Sequence, residues 1–336
     1  MTADATESAA PPVFGPIARM LVVVEPDDAE NLLHAAAWLS ARHGAELDVL
    51  ICIESPKDLA AIARATELAE DAVLEHIAED RHQRIAKFVA RTMPQNTPKV
   101  HLSIGKAFIA VIDHVVRFDI DLVIKTAEPM SGLHGFLFES TDQHLMRKCP
   151  CPVWIRLPDT PAMPHTILAA VDVDDWDASE PDTLLGLNQR VIEMSRRLAS
   201  GPGAVVHVLH AWEAVGEGMI WTFASGSNPR LSAETYVNEI VSARWHSLEA
   251  LIRPFKTPTG DQNPRLVEHL VRGSPHNVIA EQARHLSADI IVMGTVARTG
   301  LGGVIIGNTA ENILNAVKCS VVTVKPEGFI SPIVVD

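Results

Sequence analysis

Between Gly294 and Thr309 the chain reads GTVARTGLGGVIIGNT, and these are the residues best placed to do chemistry. Gly294, Gly300, Gly302, Gly303 and Gly307 carry no Cβ, so backbone N–H groups there can approach an anion closely. A helix that starts at Asn308/Thr309 adds unpaired donors and the positive end of its dipole, which together hold phosphate without a lysine. Arg298 is the one fixed cation within the loop, and Thr295, Thr299 and Thr309 offer hydroxyls. A purely structural role fits the same residues, with Asn308 and Glu311 as a capping pair; capping and phosphate binding are compatible.

The elements that must position this loop are short Val- and Ile-rich runs alternating with helical stretches, the pattern of βαβ units in a parallel sheet. MLVVVEP, ELDVLICIES, KVHLSIG, DLVIKTA and CPVWIRLP form a first set of expected strands. Helical spacing fills Asn31 to Arg42, Leu68 to Arg91, Ala107 to Phe118 and Ser140 to Lys148. After Pro158 the series restarts with TILAAVDVD, AVVHVLHAWE, LVEHLVRG, DIIVMGT and CSVVTVKP. Its helices are expected near Asp182 to Ala199, Ser232 to Leu251, Pro275 to His285 and Ala310 to Ala316, with Trp221 to Arg230 as a loop peculiar to this half. The chain is a tandem repeat. A leader (1–17), a first domain (18–157), a linker (158–165), a second domain (166–327) and a tail (328–336) follow from this reading.

The register between the halves is fixed: Gly273 − Gly105, Asp289 − Asp121 and Cys319 − Cys151 each equal 168. Subtracting 168 places Thr126 at Gly294, Pro129 at Ala297, Glu139 at Gly307 and Ser140 at Asn308. The first half has therefore lost the glycines, and Glu139 sets a carboxylate where an anion would lie. Ser140 with Gln143 matches a capping box, a structural task for the same helix start. Lys125 reads as a surface charge or a partner for Glu139.

Composition excludes several classes. The 336 residues are 47% hydrophobic and 21% charged, enough for two ordinary cores, and a net charge of −14 repels nucleic acid and anionic membrane surfaces. The polar, Pro-rich start and the lack of an 18-residue apolar run point to the cytoplasm. Four cysteines are too few for a disulfide scaffold, so free thiols are expected, and no cluster in the sequence suggests a metal site.

Gly294, Ala297, Gly307 and Asn308 resemble the G-x2-G-x9-G-[S/T] ATP motif of the universal stress protein family, and IIGNTAEN and TDQHLMRKCPCPVW resemble its tandem, E-type members. Ala297 stands for the second glycine and Asn308 for Ser/Thr. If position 297 needs a positive φ, Ala costs on the order of 1 to 2 kcal/mol, which weakens binding without abolishing it. The resemblance implies two α/β domains of the HUP/flavodoxin-like type, each a five-stranded parallel sheet with helices on both faces. It implies ATP or a related nucleotide, with or without Mg2+, in the second domain, and a pseudo-dimer inside the chain formed by the last strands; pairing of two chains stays open. Asp172 would meet the ribose or nucleoside, although it could equally cap its own loop. His210, Ala211 and Trp212 would border the base, Trp212 being a stacking face or an ordinary core aromatic, and Gly273 would shape the rim.

The implied role is stress-response binding and signalling with no catalytic residue assigned. A slow ATPase is the enzymatic alternative, for which no GxxxxGK[ST] loop or magnesium carboxylate pair is visible. A binder of another nucleotide, or of a nucleotide-linked amphipathic metabolite in the interdomain cleft, is the third.

Overall fold

A computed structural model of the chain describes residues 15–25, 29–94, 97–128, 140–174, 178–223, 228–256, 263–295 and 317–333. Every Val- and Ile-rich run is a strand. The first half contributes β1 (Arg19–Val23), β2 (Glu46–Ile53), β3 (Lys99–Ile104), β4 (Leu122–Thr126) and β5 (Val153–Arg156). The second contributes β6 (Thr166–Ala170), β7 (Val205–Trp212), β8 (Arg265–Arg272), β9 (Ile290–Gly294) and β10 (Ser320–Val324).

The strands form one ten-stranded sheet in the order β3-β2-β1-β4-β5-β10-β9-β6-β7-β8. Within each half all neighbours are parallel, wound 3-2-1-4-5. The winding reverses between β1 and β4 and again between β6 and β9. Ligands of open parallel sheets bind beyond the carboxyl ends of the strands at such a reversal.

The halves join through β5 and β10, which pair antiparallel with Val321 opposite Ile155, Val322 opposite Trp154 and Thr323 opposite Val153. Because 322 − 154 = 168, the central pair joins equivalent positions of the repeat. A local twofold therefore passes through it, and the chain reproduces inside itself the self-complementary contact of a symmetric dimer.

Around the strands lie α1 (Ala29–His43), α2 (Leu59–Thr66), α3 (Glu70–Thr92), α4 (Ala107–Phe118) and α5 (Ser140–Lys148), then α6 (Pro181–Leu198), α7 (Glu217–Phe223), α8 (Pro229–Ile252) and α9 (Pro275–His285). They bury two apolar layers, one per sheet face. Leu32, Ile85, Val191 and Leu248 bring α1, α3, α6 and α8 to one layer, and Val111, Leu145 and Val278 bring α4, α5 and α9 to the other. Each layer runs unbroken across both halves, so the two domains share their cores at the junction.

Two helices depart from the sequence reading. The first half carries α2 in addition to the four expected helices. The stretch Trp221 to Arg230, expected as loop, begins inside α7 and ends inside α8, whose start is capped by Asn228 Oδ1 accepting the Leu231 N–H at 3.2 Å. Asn followed by Pro at the first helical position is a helix-start signal that the Gly/Ser content had masked.

The segment after β5 is pinned rather than loose. Arg156 is 2% exposed and donates to the carbonyls of Asn31 (2.9 Å), Thr160 (3.0 Å) and Pro161 (3.1 Å). Burial pulls its guanidinium down to about 10. Ser320 Oγ, from the partner strand, accepts the Leu157 N–H at 3.2 Å. Among the described residues, no helix is long and apolar enough to cross a membrane.

Candidate functional site

The reversal in the second half is bounded by the exits of β6 and β9. Beyond β6, Asn188 of α6 holds the backbone of Asp172 at both ends, accepting its N–H at 3.0 Å and donating to its carbonyl at 2.6 Å. Asp172 Oδ1 accepts the N–H of Asp174 at 3.1 Å, a local turn, while its side chain stays 34% exposed. Loop capping and partial exposure therefore coexist in Asp172. Asp174 instead is buried and fixed by Arg244 of α8, which donates from two nitrogens at 2.6 and 3.0 Å. His210 Nε2 lies 3.7 Å from the same carboxylate. Burial alone would raise Asp174, but His210 and Arg244 more than offset it and hold the carboxyl well below the usual carboxylate range.

Oxygens of Asp172 and Asp174 and a nitrogen of His210 lie within 4.8 Å of one another. A cation there would compete with Arg244 for Asp174, which leaves Asp172 as the carboxylate able to meet an ion or a hydroxyl arriving with a ligand.

At the β7 exit His210, Ala211 and Trp212 are 1%, 7% and 4% exposed. The Trp212 ring already carries the guanidinium groups of Arg244, 5.1 Å from its centre, and Arg272, 5.7 Å away. Trp212 is thus a covered core aromatic rather than an open stacking face, and Ala211 is interior. Gly273 sits at φ +142° with its N–H on the Trp212 carbonyl at 2.8 Å, and an added Cβ would meet Val278 Cγ2 at 2.8 Å. Gly105, 168 residues earlier, has φ +133°. The turn is a property of the repeat and does not distinguish the halves.

At the β9 exit Gly294 packs against α6, where an added Cβ would come within 2.7 Å of Leu187 Cδ2. Close helix packing thus explains this glycine by itself. Thr295 is 2% exposed and its hydroxyl accepts from Lys325, so that hydroxyl serves the interior. Ala297, Arg298, Gly307, Asn308 and Thr309, like the expected helix over 310–316, lie outside the described residues.

Lys325, at the end of β10, also donates to the Met146 carbonyl of α5 and so ties the two halves together. Burial pulls it down to about 7, partly countered by the neighbouring thiols of Cys149 and Cys151, which are free and 3.6 Å apart. Between about pH 7 and 10 the folded lysine has released a proton that the unfolded one, with its ordinary value near 10.4, still holds. Stability is therefore expected to climb with pH across that window by up to about 1.4 kcal/mol per pH unit from this group. In Lys325→Met the climb should be smaller by that amount; parallel urea-denaturation curves for the two proteins from pH 7 to 10 would contradict it.

In the first half the equivalent reversal is filled by its own charges. Lys125, read from the sequence as a surface charge or a partner for Glu139, is buried at 4% exposure and pairs with Asp142 and Glu128, each at 3.0 Å. Burial alone would lower Lys125, but the two carboxylates outweigh it and raise its pKa. Asp142, in the first turn of α5 and fully buried, accepts the N–H of Glu128 from the strand-exit loop at 3.1 Å. A protein carboxylate thus occupies the helix start and takes a donor of the kind that a phosphate uses. At offset 168, Lys125, Glu128 and Asp142 become Met293, Val296 and Ala310. Sequence reasoning had stopped at Glu139, and the same subtraction finds Asp142. Arg244 and Lys325 left no such signal, since their partners lie 70 and 179 residues away.

The sequence profile of the universal stress protein family matches the chain twice, over residues 16–156 and 163–325. Universal stress protein E of Salmonella typhi is 29% identical over 323 residues, covering 94% of this chain and 97% of that protein. The Escherichia coli K12 protein of the same name is 28% identical over 324 residues, covering 94% and 96%. Among solved structures, a functionally unknown protein from Pseudomonas aeruginosa PAO1 superposes with a TM-score of 0.63 at 24% identity, covering 93% of this chain and 94% of that one. Two matched segments, joined edge to edge by their last strands and full-length similarity to E-type proteins, lead to one conclusion: the chain belongs to the universal stress protein family, as a tandem member carrying that family's stress-response role.

Proposed function

We propose that the second half holds one adenine nucleotide, ATP or a close relative, across the exits of β6 and β9, while the first half serves as its scaffold. The observation that carries this reading is the contrast at the two helix starts. Where the first half places the buried Asp142 carboxylate on its own strand-exit donor, the second has Ala310 in its sequence and so carries no carboxylate at that position. Asp172, half-buried on a turn fixed by Asn188, would meet a ribose hydroxyl. Arg298 would supply the counter-charge, Asn308 and Thr309 the helix-start donors, and Gly307 the close approach of backbone. Any Mg2+ would arrive with the phosphates.

The protein would work in the cytoplasm as a binding and signalling component whose nucleotide-bound form offers partners a different surface from the free form. A nucleotide-linked amphipathic metabolite is a second reading. It is favoured by α7, which exposes Met219, Trp221 and Phe223 beyond the β7 exit.

Calorimetric titration of the full chain with ATP tests the proposal: one-site saturation is expected, with no phosphate released in a single turnover. Labelled phosphate release that disappears in Arg298→Ala would replace the binding reading with an enzymatic one.

A further inference from the structure

At the opposite, amino-terminal side of the first half's sheet, the fold gathers three residues that are far apart in sequence. Asp48 lies on β2, His101 on the edge strand β3 and His114 on α4. The register pairs Asp48 with Lys99 and Leu50 with His101, so Asp48 and His101 point to the same sheet face, the one that α4 covers. Asp48 Oδ2 is 3.4 Å from His114 Nε2, and Asp48 Oδ1 is 3.6 Å from His101 Nε2. One ligand atom from each of the three lies within 4.8 Å of the others.

The 3.4 Å contact of His114 is a long hydrogen bond to one oxygen of Asp48, and the 3.6 Å approach of His101 to the other oxygen leaves the three groups close to metal-ligand spacing. Four ligands at 2.0 to 2.1 Å around a tetrahedral ion stand about 3.3 to 3.4 Å apart, and imidazole with carboxylate is a usual donor set for zinc. The buried His101 Nε2 has no hydrogen-bond partner among the described residues, and the 3.6 Å approach to Asp48 is too long to be one.

We propose that Asp48, His101 and His114 bind a divalent cation of the zinc class, which clamps the two outer strands of the first half to α4. Arg19 opposes the site by charge, with one nitrogen 3.5 Å from Asp48 Oδ2. It is balanced by Glu46 at 3.5 Å and held by the Phe118 carbonyl at 2.8 Å, leaving Oδ1 to the ion.

The second half supplies an internal control. Its strands place His207 against Val267 as Asp48 stands against Lys99, and His269 where His101 stands. Those two imidazoles hydrogen-bond each other at 2.8 Å, and Gln282 replaces the third ligand at offset 168 from His114. Among the described residues no carboxylate joins that pair at metal-ligand spacing.

Untagged full-length protein, stripped with a chelator and titrated with Zn2+ or with Co2+ as a spectroscopic probe, tests the assignment. One ion per chain is expected, with the visible absorption of tetrahedral cobalt. Asp48→Asn and His101→Gln should each weaken binding at least about 100-fold, while His269→Gln leaves it unchanged. His101 is part-exposed on an edge strand, so its variant keeps the fold, which circular dichroism checks. No binding by the wild-type chain, or binding that survives His101→Gln, would overturn the proposal.

Discussion

Gly307→Glu is expected to weaken nucleotide binding by two to three decades. The substitution writes into the second half the carboxylate that the first half carries as Glu139. Two unit charges about 4 Å apart at an effective dielectric near 20 repel by roughly 4 kcal/mol, close to three decades of affinity. A helix amino terminus returns at most about 2 kcal/mol to an anion, so the repulsion prevails. Gly307→Gln separates charge from bulk: it should lose much less, and comparable losses in the two variants would point to crowding instead. The reverse change, Glu139→Gly, should not awaken the first half, because Asp142 still takes the donor from Glu128. Calorimetric titration of the three variants with ATP, with melting curves as the folding control, decides between these outcomes.

Asp142→Ala is the change expected to cost most in stability. It removes the fully buried carboxylate paired with Lys125 and leaves that ammonium, 4% exposed, with Glu128 and the Thr126 carbonyl. Removing one partner of a buried pair costs about 3 to 5 kcal/mol, and the remaining Glu128 puts this case near the lower end. Replacing both members with apolar residues is often close to neutral. The second half shows the apolar version of the same place, Met293 and Ala310. Lys125→Met combined with Asp142→Ala should therefore recover most of the loss in urea denaturation. A double variant less stable than the single one would show that the pair contributes by more than mutual neutralisation.

Much of this architecture is legible in the sequence for a physical reason. Parallel strands covered on both faces must be continuously apolar, so the ten runs of Val and Ile stand out, and the bounds of α4, α5 and α9 agree with helical spacing to the residue. The pairing of β5 with β10 is what the family resemblance implies, and it covers an edge that each half would otherwise leave open. Short amphipathic pieces are less visible: α7 has seven residues and exposes Met219, Trp221 and Phe223, so no buried stripe marks it.

Charges were the hardest to place. Lys125 looks like a surface lysine until the fold brings Asp142 beside it from 17 positions away, and Asp48 gains His101 and His114 only through sheet register and a helix crossing. The candidate site was partly legible. Asp172 lies in the turn beyond β6, whereas Trp212 and the Thr295 hydroxyl are interior. Local spacing carries no record of which guanidinium covers a ring or which lysine reaches a threonine.

The division into one binding half and one scaffolding half is tested most directly by counting nucleotides on the intact chain. Native mass spectrometry during an ATP titration should show a single adduct per chain that saturates and is lost in Gly307→Glu. Two adducts per chain, or one that persists in that variant, would contradict the account.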